Sequence, residues 1–85
     1  MALSTTARTA TQLGAALRLR RRQLRLSQGD VGARTHVRQA TLSLLENGAT
    51  DARLSTLMDV LAALDLELVV RPREKGSDQS LGAIF

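Results

Sequence analysis

The sequence predicts a mainly α fold of four short helices followed by one short C-terminal β-strand that pairs across a homodimer. Three observations predict it. Apolar residues recur at three- and four-residue spacing from Gln12 to Leu64. The period changes to two at Leu66 and holds until Pro72. With 85 residues and no cysteine, a lone copy leaves much apolar surface unburied, and association is one standard remedy.

Residues 1–11 are small and polar without period and read as a flexible N-terminal arm. The first helix starts at Gln12 and ends near Arg25. Leu13, Ala16, Leu17 and Leu24 share one face, while Arg18, Arg21, Arg22 and Arg25 lie largely off it. Ser27 suits an N-cap because its hydroxyl accepts from a first-turn amide, and Asp30 stands where a capping-box acid belongs. The second helix follows from Gln28 to Arg34, with Val31 and Thr35 inward. Gly32 leaves room for a close approach, which outweighs its ~1 kcal/mol deficit in helix propensity. Thr35-His36-Val37 is a break that Val37 locks by turning inward. The third helix runs from Arg38 or Gln39 to Glu46. Leu42 and Leu45 form its inner edge, and Gln39, Ala40, Ser43 and Asn47 project from the other side. Asn47-Gly48 stops it, since glycine adopts the left-handed conformation that ends helices. After a polar loop, the fourth helix spans about Leu54 to Leu64, with Leu54, Leu57, Val60, Leu61 and Leu64 inward. Leu66, Leu68 and Val70 then alternate with Glu67, Val69 and Arg71 until Pro72, which cannot donate to a ladder. A single strand has no partner within the chain, so a second copy has to supply one. Residues 12–72 thus form one domain, and 73–85 a flexible tail ending in the apolar Leu81-Gly82-Ala83-Ile84-Phe85.

Charge and composition narrow the function. The formal net charge is +4, and Lys75 is the only lysine among 12 basic residues. An arginine-dominated surface favours phosphate-rich partners, because the planar guanidinium grips phosphate through two N–H groups. The single aromatic, Phe85, argues against stacking on single-stranded nucleic acid. No apolar run approaches the ~20 residues that span a bilayer, and the N-terminus lacks the pattern of a signal peptide. Absence of cysteine fits a reducing cytoplasm and removes thiolate metal sites. His36 is the only histidine and reads as a solvated turn residue rather than a metal ligand or base. Without an activating base the serines and threonines are not nucleophiles. Gly29-Asp30-Val31-Gly32 lacks the preceding strand that a phosphate loop needs. The expectation is a non-enzyme with no cofactor and no metal.

Two short helices joined by a tight turn, the second carrying small polar residues, describe a helix-turn-helix. The second helix has to enter a major groove only ~12 Å wide. Its leading residues therefore need to be short or able to hydrogen-bond base edges. Arg38 suits guanine O6 and N7, Gln39 suits adenine N6 and N7, and Ala40 suits a thymine methyl.

Leu26-Ser27-Gln28, Gln39-Ala40-Thr41-Leu42-Ser43 and Glu46-Asn47-Gly48, in register from about Leu17 to Leu64, resemble the phage-repressor (lambda and 434 repressor, Cro; XRE) helix-turn-helix superfamily. The resemblance implies a four- to five-helix lambda-repressor-like domain. It implies base readout by Arg38, Gln39, Ala40 and Ser43, and phosphate contacts from Ser27, Gln28, Thr41 and Asn47. It also implies a structural ion pair between Arg21 and Glu46. Within the superfamily, Arg38-Gln39-Ala40-Thr41, a fourth helix, a short strand and a tail look like HipB-type antitoxins. That branch implies a dimer strand at Leu66, Glu67, Leu68, Val69 and Val70, and autoregulation through a palindromic double-stranded operator. It further implies a HipA-like Ser/Thr kinase toxin as partner and a cytoplasmic, nucleoid-associated location in a prokaryote. A stand-alone XRE-family repressor and a helical protein-interaction adaptor remain as alternatives.

Three residues depart from the superfamily pattern. Thr35 stands where a larger apolar residue is preferred. His36 replaces a turn glycine, at a position where a left-handed backbone is expected. Leu44 occupies a position that reads bases with polar side chains in some repressors, so readout concentrates at the start of the third helix. Two features stay open on sequence grounds: whether Arg18–Arg25 bind phosphate or only solvate the first helix, and whether Ile84-Phe85 has a role.

Overall fold

The computed structural model of the chain describes residues 5–49 and 51–73. It contains four helices: α1 (Ala10–Gln23), α2 (Gln28–Arg34), α3 (Gln39–Glu46) and α4 (Leu54–Ala63). Helix α1 starts two residues before the periodicity does. Thr9 supplies the reason: its hydroxyl accepts from the Gln12 N–H at 3.1 Å, so the helix begins where its first orphan donors find a cap. At α2 the cap is reciprocal. The Ser27 hydroxyl accepts from the Asp30 N–H at 2.9 Å, and the Asp30 carboxylate accepts from the Ser27 N–H at 2.8 Å.

Three helices end in one way. After α1, α3 and α4 the chain enters the left-handed region at Arg25 (φ 59°), Gly48 (φ 89°) and Asp65 (φ 56°). In each case the next N–H returns to the carbonyl five residues back: Leu26 to Arg21, Ala49 to Leu44, Leu66 to Leu61, at 2.8–3.0 Å. This is the Schellman arrangement, which satisfies the last carbonyls of a helix. Gly48 plays its expected part. His36 does not: it keeps a negative φ, and among the described residues the left-handed non-glycine positions are Arg25 and Asp65. Thr35 explains why the turn can do without glycine. Its hydroxyl donates to the Val31 carbonyl at 3.2 Å and accepts from the Val37 N–H at 2.9 Å, closing the turn with hydrogen bonds.

Leu17, Val31, Val37, Leu42, Leu45, Val60, Leu61 and Leu64 form the core. Burying each such side chain contributes roughly 1.5–3 kcal/mol before entropy is subtracted. Helix α1 crosses α3 at Gly14, a residue the periodicity passes over. A Cβ there would run into the Leu45 carbonyl and come within 2.7 Å of the Glu46 carbonyl oxygen. Gly32 faces a milder constraint: a Cβ there would stand 3.2 Å from the Val37 carbonyl oxygen in the turn and 4.0 Å from the Gln39 nitrogen at the start of α3.

One further expectation needs correction. Leu54 is 66% exposed rather than inward, because the first residue of α4 projects beyond the core. Residues 66–70, expected to pair between two copies, form no ladder within this single chain. A ladder requires a second strand, and the described residues contain none. Leu66 is moreover committed to the end of α4: its N–H bonds to Leu61 and its side chain packs on the core. Leu68, Val69 and Val70 are exposed. The proposed tail beyond Arg73, including Leu81–Phe85, lies outside the described residues. Thr6, in the proposed arm, accepts a 2.9 Å hydrogen bond from Arg71.

Candidate nucleic-acid interface

The first turn of α3 presents Arg38, Gln39 and Ala40 to solvent, because Leu42 and Leu45 hold the opposite face in the core. The Gln39 side-chain oxygen lies beside Gly29 at the start of α2. Thr41 and Ser43 are half-buried at the edge of the helix. Leu44 is 61% exposed.

The residues expected at phosphates flank this turn, and among them Gln28 and Asn47 each keep a donor. The Ser27 hydroxyl is engaged in its cap, where it accepts from the Asp30 N–H and helps to hold the Asp30 carboxyl low. Gln28 spends one amide N–H on Glu46, at 3.2 Å, and retains the other. Asn47, exposed at the end of α3, spends one N–H on the Ser43 carbonyl at 2.9 Å and likewise retains one.

Beneath them lies a charged network centred on Glu46. Its buried carboxylate accepts from Arg21 Nε at 2.7 Å and from Arg21 Nη2 at 3.0 Å, a two-bond pair. The third guanidinium nitrogen, Nη1, donates to the Leu26 carbonyl at 2.9 Å and so fixes the approach to α2. Arg18 stands 3.7 Å from the same carboxylate. Burial pushes the Glu46 carboxyl up, but hydrogen bonds from Arg21 and Gln28 and the nearby positive charges outweigh it and hold it below the usual range. The Arg21 guanidinium is held above its ordinary value, chiefly by its hydrogen bonds to Glu46. No buried side-chain polar atom of the described residues lacks a partner. The network ties α1, the loop before α2, α2 itself and α3 into one unit.

Gln28 and Arg18 as members of this network were not legible in the sequence. Gln28 meets Glu46 across 18 residues, and no local pattern signals such a meeting. Among the described residues no group of three or more His, Cys, Asp or Glu side chains could hold a metal ion. No helix among them is long and apolar enough to cross a membrane.

A helix-turn-helix domain family profile matches residues 12–73. The chain belongs to the helix-turn-helix domain family. Among proteins similar to the chain are a transcriptional regulator and an antitoxin. The chain is 38% identical over 58 residues to an uncharacterized HTH-type transcriptional regulator, y4dL, of Sinorhizobium fredii; the match covers 68% of the chain but only 30% of that longer protein. It is 30% identical over 70 residues to antitoxin HipB of Escherichia coli K12, covering 82% of the chain and 80% of HipB. Similar folds occur in a HipB–O4 20mer complex (TM-score 0.78, 27% identity) and in a HipA–HipB–O2–O3 complex (TM-score 0.77, 27% identity). Each match covers 84% of this chain and all of the matched one. The likeness to HipB-type proteins seen in the motif residues is therefore borne out. These relatives are a transcriptional regulator and an antitoxin; no catalytic family is among them.

Proposed function

We propose that this helix-turn-helix chain is a sequence-specific repressor that binds a palindromic double-stranded operator as a homodimer. The observation that carries the reading is the exposed Arg38-Gln39-Ala40 turn, flanked by the remaining amide N–H of Gln28, which is held on Glu46, and by that of Asn47 at the end of α3. Arg38, Gln39, Ala40 and Ser43 read bases, while Ser27, Gln28, Thr41 and Asn47 hold the backbone. Glu67, Leu68, Val69 and Val70 of two copies pair into a shared sheet, which sets the two recognition helices in successive major grooves ~34 Å apart. We further propose that the protein is the antitoxin of a type II toxin–antitoxin system. It represses its own operon in the cytoplasm and neutralises a HipA-like Ser/Thr kinase toxin. Similarity to HipB, and to HipB as it stands in complexes with DNA and with HipA, supports this extension.

The test is a pull-down of the tagged protein from its native cells, with bound protein and DNA both identified. A kinase-like partner together with DNA from the protein's own promoter is the expected result. Promoter DNA without such a partner would leave a stand-alone repressor. A partner without DNA would overturn the repressor reading and make the helices a scaffold for protein interaction.

A further inference from the structure

We propose that the cleft between α1 and the C-terminal end of α3 holds a DNA backbone phosphate, gripped by Arg18 and Arg22 beside Asn47. The inference rests on the DNA-binding reading above and extends the interface onto α1.

Helix α1 carries four arginines and no acidic residue, and the structure divides them into two pairs. Arg20 and Arg21 are structural. Arg20 donates to the Leu64 carbonyl at 2.9 Å and lies 3.9 Å from Asp65; Arg21 is locked to Glu46 and Leu26. Arg18 and Arg22, one turn apart, instead line a cleft with Glu46 and Asn47. Arg22 is exposed, and its side chain makes no ion pair or hydrogen bond among the described residues. Arg18 is half exposed and reaches Glu46 only at 3.7 Å, toward an oxygen that already accepts from Arg21 and Gln28.

Charge then decides what the cleft can take. Glu46 is the one acid lining it, and Arg21 already neutralises that carboxylate. Arg18 and Arg22 therefore face the cleft with surplus positive charge, next to the unused N–H of Asn47. Two forked guanidiniums and an amide donor suit a tetrahedral phosphate oxyanion. The phosphate is one of DNA, because Asn47 joins this cleft to the exposed edge of α3 and, through Glu46, to Gln28. A simpler role exists: basic residues in the last turn of α1 also offset the helix dipole. That role changes thermal stability and leaves salt dependence alone, so the two can be separated.

The experiment starts from a pool of duplexes with a randomised centre, from which the parent protein selects its own site. The parent, R18Q/R22Q and R18K/R22K are then titrated with that duplex and with unselected duplex over a range of salt. Each lost phosphate contact lowers the slope of log affinity against log salt by about 0.9. With one phosphate in each of the two clefts of the dimer, R18Q/R22Q should show a slope shallower by about two. Selected and unselected DNA should weaken by similar factors, because phosphate contacts carry no sequence information. R18K/R22K keeps both charges and should restore the slope. An unchanged slope in folded R18Q/R22Q, or an equal loss in R18K/R22K, would overturn the assignment. Should the double variant fail to fold, R18Q and R22Q singly carry the same test, each expected to be shallower by about one. A parent that selects no duplex would overturn the DNA-binding reading itself, a result distinct from failure of this cleft.

Discussion

Glu46 is a carboxylate taken out of water and surrounded by donors, so its removal should be felt twice. Glu46→Gln leaves the Arg21 guanidinium buried without its counter-charge. The expected loss is ~3–5 kcal/mol, although the intact pair contributes little net stability over an apolar replacement. Urea unfolding at neutral pH measures it. The same residue sets an acid limit. Its carboxyl is held below the usual range in the fold, against roughly 4.3 in an unfolded chain. The stability it contributes is therefore complete above the unfolded value and is lost as pH falls through the folded one. Asp30 acts in the same direction, held low by the Ser27 N–H and hydroxyl. Unfolding free energy should be flat from neutral pH to about 5 and decline below that. In Glu46→Gln the decline should be shallower by one proton; an identical acid slope would remove Glu46 as its cause. Gly14 is a residue of the opposite kind, needed for what it lacks. Gly14→Ala puts a methyl group against the Leu45 and Glu46 carbonyls, where backbone has to move. A cost of about 1–3 kcal/mol or more is expected in the same urea assay. Among the proposed base readers, Gln39→Ala should lower discrimination between selected and unselected duplex, read by gel-shift titration. Equal selectivity would take Gln39 out of the readout.

At the scale of helices, the ends decide more than the middles. The α2 cap joins Ser27 and Asp30 reciprocally, so Ser27→Ala should cost about 1 kcal/mol. The sequence shows this cap, because the two residues stand three apart and the chemistry is local. It shows the α3 stop equally well through Asn47-Gly48. Periodicity places the ends of α1 and α4 to within two residues, but their left-handed closure is not legible, since Arg25 and Asp65 occupy those positions without the glycine that advertises them. L-residues in that region are disfavoured by roughly 1–2 kcal/mol. Arg25 is exposed, and its side chain makes no hydrogen bond or ion pair among the described residues. Arg25→Gly should therefore stabilise the fold by up to about 1 kcal/mol, less what glycine adds to unfolded-chain entropy. A rise of several degrees in the melting midpoint, compared at one protein concentration, is the expected outcome. A fall would show that the Arg25 side chain does something the helix end does not explain.

For the whole molecule, the exposed Leu68, Val69 and Val70 are the test of the proposed dimer. If two copies pair there, Val69→Pro removes an N–H from the shared ladder and should shift sedimentation equilibrium toward monomer. Affinity for a two-fold site should fall with it, while affinity for a single half-site holds. A Val69→Pro protein that sediments as a dimer would place the two-fold elsewhere.

The amino-acid sequence by itself determined the features whose partners lie within about four residues. These are the helices, the Ser27–Asp30 cap, the Gly48 stop, and the sidedness that turns Arg38, Gln39 and Ala40 outward while Leu42 and Leu45 turn in. Backbone hydrogen bonding repeats over that distance, so periodicity and capping residues carry the information directly. The motif spacing extended this to the Arg21–Glu46 pair through family resemblance. Only the tertiary structure decided that Gly14 is where α1 touches α3 and that Gln28 and Arg18 join Glu46. It also decided that Leu54 faces solvent. Each of these depends on which surfaces meet after the helices pack, between residues far apart in the chain. The spacing of apolar residues along one helix is silent about that choice.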